Sequence, residues 1–276
     1  MTRPWRAFTA TQIGSSHRLS DLPNQDASLV GVEDGLALVG VADGHGHRTH
    51  FRSREGAWAA VQTVAELLGP AKDLDAEALD DLLGGPVRSS LVPRWRARVL
   101  THAAEQPCTS DELSLLGGSS PDHLVLAYGT TVVAAVSTGR ALGLVQLGDG
   151  DAVVAFADGE VVQPLPEDPL LDGHRTTSLC QPDATSSLRT AVLDLTRRRV
   201  GLCFVATDGF GSPRLDTKTW WVQVAEELTA HVASHGPEWV EGKLPEWLVE
   251  PAETGGDDTT VAILVAPSDG YSPDSQ

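Results

Sequence analysis

The chain has 276 residues, 41% of them hydrophobic and seven of them tryptophan, which suits a packed globule and excludes a disordered chain. With 38 acidic residues against 20 basic ones the formal charge is −18, which argues against nucleic acid or an anionic membrane surface as a general partner. Cys108, Cys180 and Cys203 are scattered and lack Cys-x-x-Cys spacing, so neither a zinc ribbon nor a disulfide framework is expected.

In chain order, residues 1–10 are too few and too polar for a secretory signal. Leu36–Ala42 is an unbroken apolar run and predicts a strand. Trp58, Val61, Val64 and Leu68 share a helical face that Gly69-Pro70 terminates, and Leu91, Trp95 and Val99 recur at four-residue spacing. Residues 105–122, with two prolines and two glycines, read as a soft surface stretch. Strands are predicted at 132–136 and 142–147. Residues 152–156 and 160–163 flank Asp158-Gly159, a type I′ hairpin signal. The Pro-, Asp-, Ser- and Thr-rich stretch 163–187 reads as a loop. Residues 190–195 and 200–205 suggest a second hairpin across the turn 196–199. Trp221, Val224, Leu228 and Val232 define a further helix; Val240, Leu244 and Trp247 sketch another, with Pro245 set against it. The helical tryptophans are expected in the core. Thr259–Val265 is the last predicted strand, and 267–276 reads as a frayed tail.

No stretch reaches the roughly 18 apolar residues that span a bilayer, so the expected location is the cytoplasm. Without a solenoid repeat or a long linker, residues 1–276 are expected to form a single domain with its core at about 10–266. Early strands, a helical block, then many strands with late helices do not alternate as βαβ units, so the pattern predicts an α+β fold of antiparallel sheets covered by helices. Nucleotide-cradling glycine motifs are absent.

Three apolar runs end in Asp-Gly, at Asp43-Gly44, Asp149-Gly150 and Asp208-Gly209, and Asp257-Asp258 directly precedes the last strand. Neighbouring strands lie about 4.8 Å apart, so carboxylates at the same end of a sheet converge and need a cation. An all-oxygen set favours Mg²⁺ or Mn²⁺ over zinc. Asp-Gly is also a common turn signal, and four of the seven in this chain (at Asp34, Asp158, Asp172 and Asp269) read as plain turns.

Six motifs resemble, in order, those of the metal-dependent serine/threonine protein phosphatases of the PPM or type 2C family, bacterial branch. They are Asn24-Gln25-Asp26-Ala27, Val41-Ala42-Asp43-Gly44-His45-Gly46, Gly129-Thr130-Thr131, Leu147-Gly148-Asp149-Gly150, Ala206-Thr207-Asp208-Gly209 and Gly256-Asp257-Asp258-Thr259-Thr260. Together they span roughly Gly14 to Val265. The resemblance implies two antiparallel sheets packed face to face with helices on the outer faces. It implies two Mn²⁺ or Mg²⁺ ions held by Asp43, Asp208 and Asp257, with the Gly44 carbonyl and Asp26 contributing, and Asp149 as ligand to a weaker third ion. It implies hydrolysis of phosphoserine and phosphothreonine in proteins by a metal-bridged hydroxide, with His45 protonating the leaving alcohol. His47 and His50 read as loop residues. The partners implied are phosphorylated proteins, a Ser/Thr kinase or its targets.

The chain departs from the family pattern at three positions. Gln25 stands where many members have Glu, Asp21 where an arginine often binds the substrate phosphate, and Ser212 where a third-metal Asp is common. His17 or Arg18, or else Arg48 or Arg52, are the candidates to replace that arginine. The departures motivate a second reading, a catalytically weak phosphatase-like domain that acts as a binding module. A two-metal hydrolase of small phosphoesters is a third.

Overall fold

A computed structural model of the protein describes residues 4–171, 176–211 and 217–267. Among them, ten strands form two antiparallel sheets of five. One runs β1 (Arg6–Gln12), β10 (Thr259–Val265), β9 (Val200–Ala206), β6 (Asp151–Phe156), β7 (Val161–Val162). The other runs β2 (Ala27–Glu33), β3 (Leu36–Ala42), β4 (Val132–Ser137), β5 (Ala141–Leu147), β8 (Arg189–Asp194). Helices α1 (Ser15–Leu19), α2 (Ser53–Leu68), α3 (Ala76–Leu82), α4 (Arg88–Glu105), α5 (Ser110–Leu116) and α6 (Pro121–Leu126) precede β4. After β9 come α7 (Asp208–Gly211), α8 (Thr217–His235), α9 (Pro237–Trp247) and α10 (Val249–Gly255).

The unbroken apolar runs have a simple cause: both faces of the central strands are covered. Val39, Val41, Val133, Ala135, Leu144, Cys203, Val205, Ala262 and Leu264 meet between the sheets. Their alternates face outward. On the β2–β8 sheet, Leu38, Ala134, Val136 and Val145 pack under Val64, Leu68, Leu79 and Trp95 of α2–α4. On the β1–β7 sheet, Phe8, Phe204 and Ile263 pack under Trp221, Leu228 and Leu244 of α8 and α9. This is the predicted α+β arrangement of face-to-face sheets with helices outside.

Several local expectations fail for identifiable reasons. The strands at 190–195 and 200–205 do not form a hairpin: β8 pairs with β5 in one sheet, and β9 pairs with β6 and β10 in the other. The turn 196–199 therefore crosses between layers, and a short polar turn serves either purpose. The hairpin at Asp158-Gly159 exists, pairing Val154 with Val162, but it is not type I′. Only Gly159 takes a positive φ (+93°), with its N–H donated back to Phe156 O at 3.0 Å, the glycine-bulge pattern. Residues 105–122 are not soft. Thr109 and Glu112 form a capping box for α5, which Gly117 ends in the left-handed conformation, and Ser120 caps α6. Trp95 and Trp221 are core, whereas Trp58 is 44% exposed and Trp239 lies on the surface. Helix α9 runs through Pro245, which falls in its last turn where only one backbone donor is missing. β1 and β2 escaped prediction because β1 buries only Phe8 and Ala10 and because Val30 and Val32 on the exposed face of β2 mask its alternation. Asp172, Ser212, Asp269 and the tail from 268 onward lie outside the described residues.

Helix α2 is held tightly against α4 and the α6–β4 connection: Trp95 Nε1–H donates to Gly56 O at 3.0 Å, and a Cβ on Gly56 would lie 2.0 Å from the Tyr128 carbonyl oxygen. Helix propensity favours alanine by about 1 kcal/mol at such a position, but overpacking costs about 1–3 kcal/mol or more. Gly56→Ala is therefore expected to lower the thermal midpoint by several degrees, read by circular dichroism; an unchanged or raised midpoint contradicts this packing.

Candidate metal centre

One end of the sandwich collects strand termini from both sheets. β3 ends into Asp43 and β5 into Gly148-Asp149, beside Thr130 and Thr131 at the start of β4. In the facing sheet β9 ends at Thr207-Asp208, next to the beginning of β10 at Asp257-Asp258. Antiparallel pairing brings the end of one strand beside the start of the next, so both sheets aim acidic residues at the same edge. Asp43, Asp149 and Asp208 each offer a carboxylate oxygen within 4.8 Å of the others.

The backbone around them is pinned. Asp43 O accepts from Thr131 N (2.9 Å) and Thr130 Oγ1 (2.6 Å), and Asp43 N donates to Thr131 Oγ1 (3.2 Å). Gly44 and Gly209 lie where no side chain fits: a Cβ would sit 2.5 Å from Gln25 O in the first case and 2.0 Å from Asp258 O in the second.

Asp26, just before β2, is oriented by two hydroxyls. Its Oδ2 accepts from Thr207 Oγ1 (2.9 Å) and Thr260 Oγ1 (2.6 Å). Asn24 Nδ2 donates to Thr11 Oγ1 (2.8 Å), which directs that hydroxyl onto Thr260 Oγ1 (2.8 Å) and the Thr260 proton onto Asp26. The other oxygen, Oδ1, is buried without a hydrogen-bond partner, as are Oδ1 of Asp149 and Oδ1 of Asp208. Buried anionic oxygens left unpaired are costly. Three of them, in an all-carboxylate set, fit hard divalent cations such as Mg²⁺ or Mn²⁺.

Electrostatics agrees with the geometry. Burial raises the Asp43 carboxyl well above its ordinary range, and Asp208, Asp26, Asp257 and Asp149 add to this. Burial likewise raises Asp26, against the Thr260 and Thr207 hydrogen bonds. Asp208 is pushed up to about 7 by burial and then by Asp149 and Asp257.

Of the adjacent pair before β10, the two aspartates divide the work. Asp258 is 3% exposed and fully engaged: Oδ1 accepts from Gly14 N (2.8 Å), and Oδ2 from Gln25 N (2.6 Å) and His17 Nδ1 (2.8 Å). Asp257, with its side chain 49% exposed, stays outside the tight trio but acts on Asp43, Asp26 and Asp208. The sequence reading grouped Asp257 with Asp43 and Asp208 and set Asp149 apart; the trio in the structure contains Asp149 instead.

The remaining candidates sort by placement. His17 is buried, and its Nε2 lies 3.9 Å from Asp257 Oδ1 on the side facing Gly46. Arg18 pairs with Glu253 and donates to Ile13 O, and Arg52 donates to Gln106 O and Tyr128 Oη, so both guanidiniums are committed elsewhere. Arg48 is exposed on the 3₁₀ turn Arg48–His50. Asp21 is an exposed turn residue with φ +54°. Gln25 contributes a buried, unpartnered Oε1. His45 donates its backbone N–H to Gly129 O (3.1 Å) and meets His50 edge-on, with ring centroids 5.2 Å apart. Burial, and then His50, lowers the His45 imidazole to about 4, which keeps it neutral at pH 7. Sequence reasoning missed the Asp258 clamp and the Asn24–Thr11–Thr260 relay; the second Asp and the paired threonines of Asp-Asp-Thr-Thr were their only trace.

Residues 13–249 match the family model for protein phosphatase 2C. The chain belongs to the protein phosphatase 2C family, as its motifs suggest. No curated protein matches it significantly. Among solved structures it resembles the catalytic domain of the serine/threonine protein phosphatase PstP in complex with two manganese ions, at 20% identity and a TM-score of 0.60, covering 96% of this chain and 99% of that one. It also resembles the serine/threonine phosphatase Stp1 from Staphylococcus aureus, at 14% identity and a TM-score of 0.63, covering 97% of each chain. RsbX in complex with magnesium matches at 13% identity and a TM-score of 0.55, covering 96% of this chain and 97% of that one. Likeness at these identities establishes the fold.

Two outcomes follow from the crowding. The Asp208 carboxyl, which keeps its proton in the folded state until about pH 7 but loses it near pH 3.8 when unfolded, makes the metal-free protein less stable as pH rises through that window, and the raised Asp43 and Asp26 carboxyls act in the same direction. His45 acts oppositely between about 4 and its ordinary 6.5, so the carboxyl effect stands alone above about pH 6.5. In chelator the thermal midpoint should fall from about pH 6.5 to about pH 8, and Mn²⁺ should raise it more at the upper end; a flat profile would contradict the crowding. Thr260→Val removes a donor to Asp26 and interrupts the relay. Mn²⁺ affinity measured by calorimetry should drop about 10-fold or more, while an unchanged affinity shows that Asp26 needs no such orientation.

Proposed function

We propose that the chain is a metal-dependent protein serine/threonine phosphatase, one domain of residues 1–276, hydrolysing phosphoserine and phosphothreonine monoesters in proteins. The observation that carries this is the set of buried, unpaired carboxylate oxygens converging from both sheets in a protein phosphatase 2C chain. Asp43, Asp208 and Asp257, with Asp26, Asp149 and the Gly44 carbonyl, would hold the ions. Bound Mn²⁺ or Mg²⁺ would supply an acidified water for attack on phosphorus and positive charge for the phosphoryl oxygens.

The chain's own residues do the rest. Thr207 and Thr260 keep Asp26 turned toward the cluster. Asp258 fixes the His17 ring through Nδ1, leaving Nε2 facing Asp257 and Gly46. There, in place of the usual arginine, it takes the role of the group that meets the substrate phosphate. His45, two residues from Asp43 and neutral in the free site, would offer its ring N–H to the leaving oxygen and become the acid as phosphate charge arrives. A thiol nucleophile has no support: burial pushes Cys203 up to about 12 and raises Cys180 as well. In this reading the partners are phosphorylated proteins, a Ser/Thr kinase or its targets, in a bacterial cytoplasm.

Turnover of a phosphothreonine peptide decides the matter. Activity should require Mn²⁺ or Mg²⁺, vanish in chelator, and fall by about 100-fold or more in Asp208→Asn. Intact metal binding without turnover would instead support the binding-module reading that Gln25 and Asp21 motivate.

A further inference from the structure

Between β3 and α2 the chain passes through residues 44–52, and this segment is moored along its length to residues 126–130. Gly44 bridges to Thr130, His45 N donates to Gly129 O (3.1 Å), Arg52 N donates to Ala127 O (2.8 Å), and His50 Nδ1–H donates to Leu126 O. A carbonyl can only accept, so this last bond places the proton of the neutral His50 ring on Nδ1 and sets the plane of the ring.

Gly129 lets two side chains of the segment meet. A Cβ there would lie 2.5 Å from His50 Nδ1 and 2.8 Å from His45 Cδ2, so both rings rest against its bare backbone. Their centroids are 5.2 Å apart and their planes are inclined by 66°, an edge-to-face contact. Among the described residues no hydrogen bond holds the His45 ring. The ring torsion of histidine is broad, whereas a reacting group must be held within about 10–20° of its productive direction. Packing against His50 and Gly129 is what limits that torsion.

We propose that His50 is a positioning residue: seated on Leu126 O, its ring holds the His45 ring in the orientation that delivers a proton to the leaving oxygen. This rests on the phosphatase reading above, with His45 as the proton donor. The bond from phosphorus to the ester oxygen breaks and the phosphoryl group passes to water. The ester oxygen leaves with the His45 proton as the alcohol, and the imidazolium returns to neutral imidazole. Serine and threonine oxygens need that proton; a nitrophenolate leaves without it, so the contribution of His50 depends on the leaving group.

The test uses the full chain with saturating Mn²⁺ and two substrates, a phosphothreonine peptide and p-nitrophenyl phosphate. His50→Ala should lower kcat on the peptide about tenfold with KM within about twofold, and leave kcat on p-nitrophenyl phosphate within about twofold. His50→Asn, which keeps a donor for Leu126 O but has no ring, should lose as much as alanine. His50→Phe, which keeps a ring, should recover most of the loss, and it serves as the test if the alanine variant melts lower than the parent. An unchanged rate on the peptide, equal losses on both substrates, or full activity of His50→Asn overturns the proposal. A second readout is the order of the His45 ring in the metal-free chain, from ¹³C relaxation at Cε1, which should fall in His50→Ala. Unchanged ring order also overturns the proposal. If the parent hydrolyses neither substrate, the phosphatase reading fails, and ring order alone decides whether His50 positions His45.

Discussion

Mutual repulsion among aspartates at one edge of the sandwich is the constraint around which the rest is arranged. Asp43, Asp149 and Asp208 bring oxygens within 4.8 Å of one another, and Asp26 and Asp257 add charge from the flanks. No arginine or lysine of the described residues neutralises the trio by an ion pair, and three of the oxygens point inward unpaired. Such a group is tolerable in a stable protein only where the surrounding structure holds it by other means, and a divalent cation would relieve it.

Those other means are spread through the fold. The three apolar layers bury both faces of nearly every central strand, so the termini carrying the acids have little freedom to splay. Backbone and hydroxyl hydrogen bonds then fix individual carboxylates: Thr130 and Thr131 at Asp43, Thr207 and Thr260 at Asp26. Asp258 accepts from Gly14, Gln25 and His17, tying the β1–α1 and α1–β2 connections to the start of β10. Two neighbouring aspartates thus carry opposite duties, one structural and sealed, the other half-exposed and electrostatic.

The outer layers differ in character. Helices α2–α4 pack an aliphatic surface with a buried Trp95, while α8–α10 carry a dense aromatic and acidic surface with a cavity reaching Phe210, two residues from Asp208. A fold that places its acidic cluster on strand ends leaves its helical faces free to diverge, since they contribute packing to that cluster and none of its carboxylates.

What could be read from the linear chain was whatever depends on local pattern. Apolar runs located the buried central strands, three- and four-residue spacing located α2, α4 and α8, and Asp-Gly at run ends, with Asp-Asp before the last strand, picked out the acidic set. Even the α5 capping box was written locally, in Thr109 and Glu112, though it went unread. Only the tertiary structure decided which strands share a sheet, that β8 and β9 part company across a short turn, and that Asp149 rather than Asp257 joins the tight trio. It alone turned Arg18 and Arg52 away from the site and His17 toward it. The reason is physical: hydrophobic periodicity records whether a residue is covered, whereas convergence of carboxylates depends on which strands lie side by side, and that is settled by contacts between residues far apart in the chain, such as Val41 with Val133 and Arg6 with Val265.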